Sequence, residues 1–94
     1  MRLHKDEIAL LKTTLGSLSS EAKLFLFGSR TDDTKRGGDI DLLVISKRLT
    51  PKDMRRLRIE FWKKFGEQKI DIVLDDGTLK KPFHQIAYSK AIEL

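Results

Sequence analysis

The segment "GGDIDLLVIS" constrains the fold more than any other part of the chain. After Asp41 it is apolar at every position up to Ile45, so both faces of the strand that it predicts must be covered. A strand covered on both faces lies inside a layered domain, with helices packed against the sheet. We therefore expect an α/β (α+β) fold. Ninety-four residues are enough for a single domain, since domains span roughly 50–250 residues, and we assign residues 1–94 to it.

Two further apolar runs predict strands on either side of this segment. Residues Leu24 to Phe27 form a short run that ends at Gly28, and residues Lys69 to Leu74 form another. Together with the strand over residues 39–46, they predict a small mixed sheet of three to four strands.

Apolar residues at spacings of three and four predict helices between these strands. The first lies within residues 6–18, and Gly16 is its expected end. The second is the clearest, because Thr50 suits its cap, Pro51 its first position and Gly66 its carboxyl end. A last helix is expected to begin at Pro82. Its expected inward-facing residues are Phe83, Ile86, Ala87 and Ala91.

Three aspartates interrupt the predicted strands. Asp39 and Asp41 are two residues apart, so their side chains project from the same face of a strand. Ionised carboxylates held close together repel each other unless a cation compensates, and carboxylate ligands favour Mg²⁺ or Mn²⁺. Asp71 lies between two isoleucines, where burial without a partner would be costly, and it joins the pair if the third strand lies beside the second.

Each aspartate also has a simpler explanation. Asp39 would be a solvated turn residue after two glycines, and Asp41 would cap or pair locally. Asp71 would lie on an edge strand, in contact with water or with a lysine such as Lys69.

Gly28 and Ser29 directly follow the first predicted strand. A glycine there lets the backbone approach a ligand, and the following amides and the hydroxyl can bind a phosphate. A tight turn is the simpler interpretation. Arg30, Lys35 and Arg36 either reach a triphosphate or keep the loop solvated.

The combination of "FGSR", "GDIDLLV" and "KIDIVL" resembles the nucleotidyltransferase superfamily that includes DNA polymerase beta, and in particular its minimal nucleotidyltransferases. The resemblance implies that Gly28 and Ser29 hold the β and γ phosphates of a nucleoside triphosphate, with Arg30 beside them. It implies that Asp39 and Asp41 bind two Mg²⁺ ions, and that Asp71 binds the catalytic ion and orients the acceptor hydroxyl. The implied reaction is transfer of AMP from ATP, with pyrophosphate leaving.

The resemblance also implies a partner. Minimal nucleotidyltransferases of the toxin-antitoxin branch are often encoded next to a helical protein, whose ribonuclease-like toxicity is silenced when its hydroxyl is modified. One alternative is a non-catalytic antitoxin-like subunit that neutralises a partner by contact. Another is nucleotidylation of an aminoglycoside.

Composition narrows the setting only slightly. The chain has 19 Lys and Arg against 14 Asp and Glu, which favours an anionic partner such as a nucleotide; nucleic acid is a weaker candidate. Cysteine is absent, so any metal must be held by oxygen or histidine. Charges interrupt the first twelve residues and no apolar run approaches a membrane span, so we expect a soluble, cytoplasmic protein that is not exported.

We expect three further groups of residues to have no direct role in the site. The basic side chains of the second helix are expected to be solvated, and its aromatic residues are expected to be core. The histidines His4 and His84 lack a spacing partner and are given no ligand role.

Overall fold

The computed structural model describes residues 3–28 and 39–94. Within these ranges it contains three helices and four strands. In chain order they are α1 (Lys5–Leu18), β1 (Lys23–Phe27), β2 (Ile40–Ile45), α2 (Pro51–Phe65), β3 (Ile70–Asp75), α3 (Pro82–Ser89) and β4 (Ile92–Glu93). The expected α+β fold is confirmed.

The strands form one mixed sheet in the order β3-β2-β1-β4. β1 pairs antiparallel with both β2 and β4, whereas β2 and β3 are parallel and joined through α2. The continuous apolar run thus becomes a strand with a neighbour on each side. Leu42, Leu43 and Val44 are all fully buried, as its sequence requires.

Alternation along the strands gives the sheet two different faces. The even-numbered strand residues, such as Leu26, Leu42 and Ile70, pack against α1 and α2 in the main core. The odd-numbered residues lie on the opposite face, where Phe25 contacts Tyr88 of α3. The three aspartates have odd numbers, so Asp41 and Asp71 in β2 and β3 lie on the α3 side of the sheet.

α2 begins and ends as its sequence predicts. Thr50 and Asp53 form a capping box, Pro51 occupies the first turn, and Gly66 ends the helix with φ of 87°. α1, by contrast, continues through Gly16 to Leu18, so the prediction that Gly16 ends it was wrong. A single glycine costs a helix only about 1 kcal/mol, which burial of Leu11 and Leu15 outweighs.

The predicted inward face of the last helix was mostly wrong. Ala87 is buried at 2% exposure, but Phe83 and Ile86 are each 57% exposed. Ala91 follows the helix rather than belonging to it. The helix is attached to the sheet by Ala87, by His84, whose ring contacts Asp75, and by Tyr88, whose ring contacts Phe25.

Candidate functional site

Three side chains form a row across three strands on the α3 side of the sheet. Phe27 of β1 pairs with Asp41 of β2, and Asp41 pairs with Asp71 of β3. Residues paired in this way project from the same face, with Cβ atoms about 5 Å apart. We call Asp41 and Asp71 the acid row. Phe27 lies next to it on β1, and Asp39 lies two residues before Asp41. The condition set for Asp71 is met, because the third strand lies beside the second and Asp71 lies beside Asp41.

Gly28 packs directly against the carboxyl group of Asp41. Its φ is +79°, a conformation that glycine adopts without strain. A Cβ atom at this position would collide with Oδ2 of Asp41 and lie 3.0 Å from its Cγ. The glycine of the "FGSR" motif therefore leaves room for the central carboxylate, a function in addition to the predicted approach to a ligand.

The surroundings of Asp41 in the acid row favour the uncharged form of its carboxyl group. Burial raises the pKa of Asp41 above its ordinary value, the negative charges of Asp71 and Asp39 raise it further, and Lys69 partly opposes them. A bound cation would relieve the same repulsion that raises this pKa. The row is therefore suited to attract a positive charge.

Lys69 provides such a charge from within the chain. Its Nζ lies 3.3 Å from Oδ2 of Asp39, with both side chains substantially exposed. The hydrogen bond to Asp39, reinforced by the charges of Asp39, Asp71 and Asp41, raises the pKa of Lys69. The sequence proposed Lys69 as a simple partner for Asp71, but the ion pair forms with Asp39.

Asp39, Asp41 and Asp71 do not form a closed cluster. Over residues 3–28 and 39–94, no three acidic, histidine or cysteine side chains converge as they would around a metal ion. The carboxylate of Asp39 is directed to Lys69 instead. Asp71 is exposed on an edge strand, so the expected cost of burying it does not arise.

Several predicted phosphate contacts lie outside the described residues. Ser29 and Arg30 belong to this group, as do Lys35 and Arg36 in the following loop. Their phosphate-binding roles remain predictions.

Sequence reasoning missed one polar pair at the opposite end of the sheet. Nδ1 of His84 lies 2.7 Å from Oδ1 of the buried Asp75, and Oδ2 of Asp75 accepts hydrogen bonds from the N–H groups of Gly77 and Leu79. Burial alone would raise the pKa of Asp75, but these hydrogen bonds outweigh it and hold the pKa below its ordinary value. The signal was an aspartate at the end of an apolar strand, nine residues before a histidine at helical spacing from Ala87.

The interpretations of α2 are supported by its contacts. Its basic side chains at positions 52, 55, 56, 63 and 64 are exposed, whereas Arg58 is partly buried and donates to the carbonyl of Ile70. Phe61 is fully buried, and Trp62 and Phe65 pack against the core. These aromatic rings serve the core, as expected.

Comparison with known families gives one finding for almost the whole chain. A family model described as a nucleotidyltransferase domain matches residues 8–94. A comparison with curated proteins finds no match. Of the helices in the described ranges, none has both the length and the apolar character needed to cross a membrane.

Proposed function

The chain belongs to the nucleotidyltransferase domain family, and from that premise we propose that it transfers AMP from ATP to a hydroxyl group of a partner protein with the help of Mg²⁺. Nucleotidyl transfer in general follows from the family. The donor, the metal and the acceptor are our proposals. The observation that carries them is the acid row, in which Asp41 of β2 is paired with Asp71 of β3, and Asp39 lies directly before β2.

The donor atoms of this site fit magnesium. Asp39, Asp41 and Asp71 offer only carboxylate oxygens, the ligands that this hard cation prefers. The raised pKa of Asp41 supports the same assignment, because, besides burial, the negative charges of Asp71 and Asp39 contribute to it. When bound, Mg²⁺ would supply charge neutralisation for the triphosphate and for its developing transition state.

In this proposal, each residue has a defined task. Asp39 and Asp41 would hold the metal, and Gly28 leaves room for the carboxylate of Asp41. Asp71 is exposed, so it is accessible to an acceptor and can take the proton from the attacking hydroxyl. The acceptor oxygen then bonds to the α-phosphorus, the bond from that phosphorus to the bridging oxygen breaks, and pyrophosphate leaves with the electron pair.

The test uses two differently labelled forms of ATP. The protein is co-expressed with the product of the neighbouring gene, and the purified proteins are incubated with Mg²⁺ and ATP labelled at either the α or the γ phosphate. We expect label on the acceptor from α-labelled ATP alone, and its loss in Asp41→Asn. The matched control is Asp76→Asn, an exposed aspartate just beyond the other end of β3. Label from the γ phosphate, or transfer unaffected by Asp41→Asn, would overturn the proposal.

A second candidate is neutralisation of a partner by contact alone. It is favoured by the pairing of Asp39 with Lys69, which satisfies one carboxylate without a metal. This function predicts that Asp41→Asn and Asp71→Asn leave both partner binding and neutralisation intact. Measuring growth of cells that express the partner, with each variant, separates the two candidates.

A further inference from the structure

An aromatic pair borders the acid row on its β1 side. Phe27 is paired with Asp41 of that row. Its ring contacts the ring of Phe83 in α3, with centroids 6.1 Å apart and planes inclined at 74°. Two aromatic rings thus lie next to the carboxylates on the same face of the sheet.

Burial in the core does not explain why position 83 carries a phenylalanine. It is 57% exposed, although it occupies the second position of a helix that is held to the sheet elsewhere. Ala87 is buried beneath the helix, His84 bonds to Asp75, and Tyr88 packs edge-on against Phe25. A smaller residue at position 83 would leave these three contacts intact.

A nucleoside triphosphate has chemistry that matches both neighbours. Its phosphates would lie at the carboxylates through the metal, and its base would extend from them across the same face. Aromatic side chains stack on any base, because every base has a π face. An exposed ring beside the phosphate position is where such a base would be held.

We propose that Phe83, supported edge-on by Phe27, forms the stacking surface for the base of the nucleoside triphosphate. This inference rests on the proposed function, since it places the base relative to phosphates held at the acid row. It assigns base binding to α3, an element outside the segments that carry the aspartates. Selection among bases by stacking alone would be modest.

The test compares ligands with and without a base. Binding of ATP and of inorganic tripolyphosphate is measured by calorimetry in Mg²⁺ for the wild type, Phe83→Ala and Phe83→Leu. The leucine variant keeps apolar bulk over Phe27 but removes the π face, and it covers the case in which alanine impairs folding. The control is Ile86→Ala, which removes an equally exposed side chain, 57%, from the same helix.

We expect both Phe83 variants to weaken ATP binding by about tenfold, the loss typical of removing one base stack, and to leave tripolyphosphate binding unchanged. Phe83→Trp keeps an aromatic ring at this position and should therefore bind ATP as the wild type does. Equal losses for both ligands, or unchanged ATP binding, would overturn the inference. Unchanged ATP binding with loss of label transfer would assign the ring to the acceptor instead. If the wild type binds neither ligand, the proposed function itself fails.

Discussion

At the scale of single residues, the candidate site is shaped by the close approach of Gly28 to Asp41. The carboxylate of Asp41 is half-buried and surrounded by negative charge, and Gly28 leaves room for it because it has no side chain. Any other residue at position 28 would both strain the backbone, whose φ is positive, and collide with that carboxylate.

Replacing Gly28 with alanine should therefore affect both stability and binding. The left-handed conformation alone costs a residue with a Cβ about 1–2 kcal/mol, and the collision with Asp41 adds to this. We expect urea denaturation to show a lower free energy of unfolding, and calorimetry to show weaker Mg²⁺-dependent binding of ATP.

Gly16 provides the matched control for that substitution. It lies within α1, and a Cβ there meets no atom within 4 Å. Gly16→Ala should raise the free energy of unfolding by about 0.5–1 kcal/mol and leave ATP binding unchanged. If Gly28→Ala behaved in the same way, the proposed contact would have no functional weight.

Lys69 gives a second prediction at this scale. Because its ammonium group pairs with Asp39, a divalent ion at that carboxylate must compete with it. Lys69→Met should strengthen binding of Mn²⁺, measured by electron paramagnetic resonance at low salt, by at most about fivefold, since exposed ion pairs are weak.

Lys63→Met serves as the control, because Lys63 is equally exposed and pairs with Glu60 at 3.2 Å within α2. It should leave Mn²⁺ affinity unchanged. A fall in affinity on losing Lys69 would mean that the lysine supports the site rather than competing for it.

At the scale of elements, the contact between Asp75 and His84 attaches α3 to the end of β3. The pKa of Asp75 is lowered in the folded protein, so its contribution to stability is present above the unfolded value, near 3.8, and is lost as the pH falls through the lower folded value. Acid below about pH 4 should therefore weaken the attachment of α3 to the sheet.

Asp75→Asn tests this attachment. Removing a charged hydrogen-bond acceptor from a buried site should lower the free energy of unfolding at pH 6 by about 1–3 kcal/mol. Urea denaturation at pH 6 and pH 3 should show a smaller difference for the variant than for the wild type. A variant whose stability falls with acid as steeply as that of the wild type would contradict the assignment.

The elements also show how far the sequence could predict the fold. α2 was predicted at both ends, because Thr50, Pro51 and Gly66 are local signals that act within one turn. α3 was oriented wrongly, because periodicity identifies an apolar stripe but not what covers it. A two-residue strand such as β4 has too little sequence to give a pattern, since its pairing with β1 is a tertiary contact.

At the scale of the whole molecule, the site arises where three separate segments meet. The sequence identified Asp39, Asp41 and Asp71, and the βαβ connection through α2 brought the last of these beside the second. The sequence named Lys69 as a possible partner for Asp71, but it could not predict which residues lie beside the aspartates. The contact of Lys69 with Asp39 and the pairing of Phe27 with Asp41 depend on strand register, and the position of Phe83 depends on the packing of α3.

The most direct test of the account is to locate a divalent ion on the folded protein. Mn²⁺ with a non-hydrolysable ATP analogue is added to isotopically labelled protein, and paramagnetic broadening of backbone amide signals is measured by NMR. We predict broadening centred on Gly28, Asp41 and Asp71, and its loss in Asp41→Asn. Broadening centred on Asp75 and Asp76 at the other end of the sheet, or no site-specific broadening, would contradict the account.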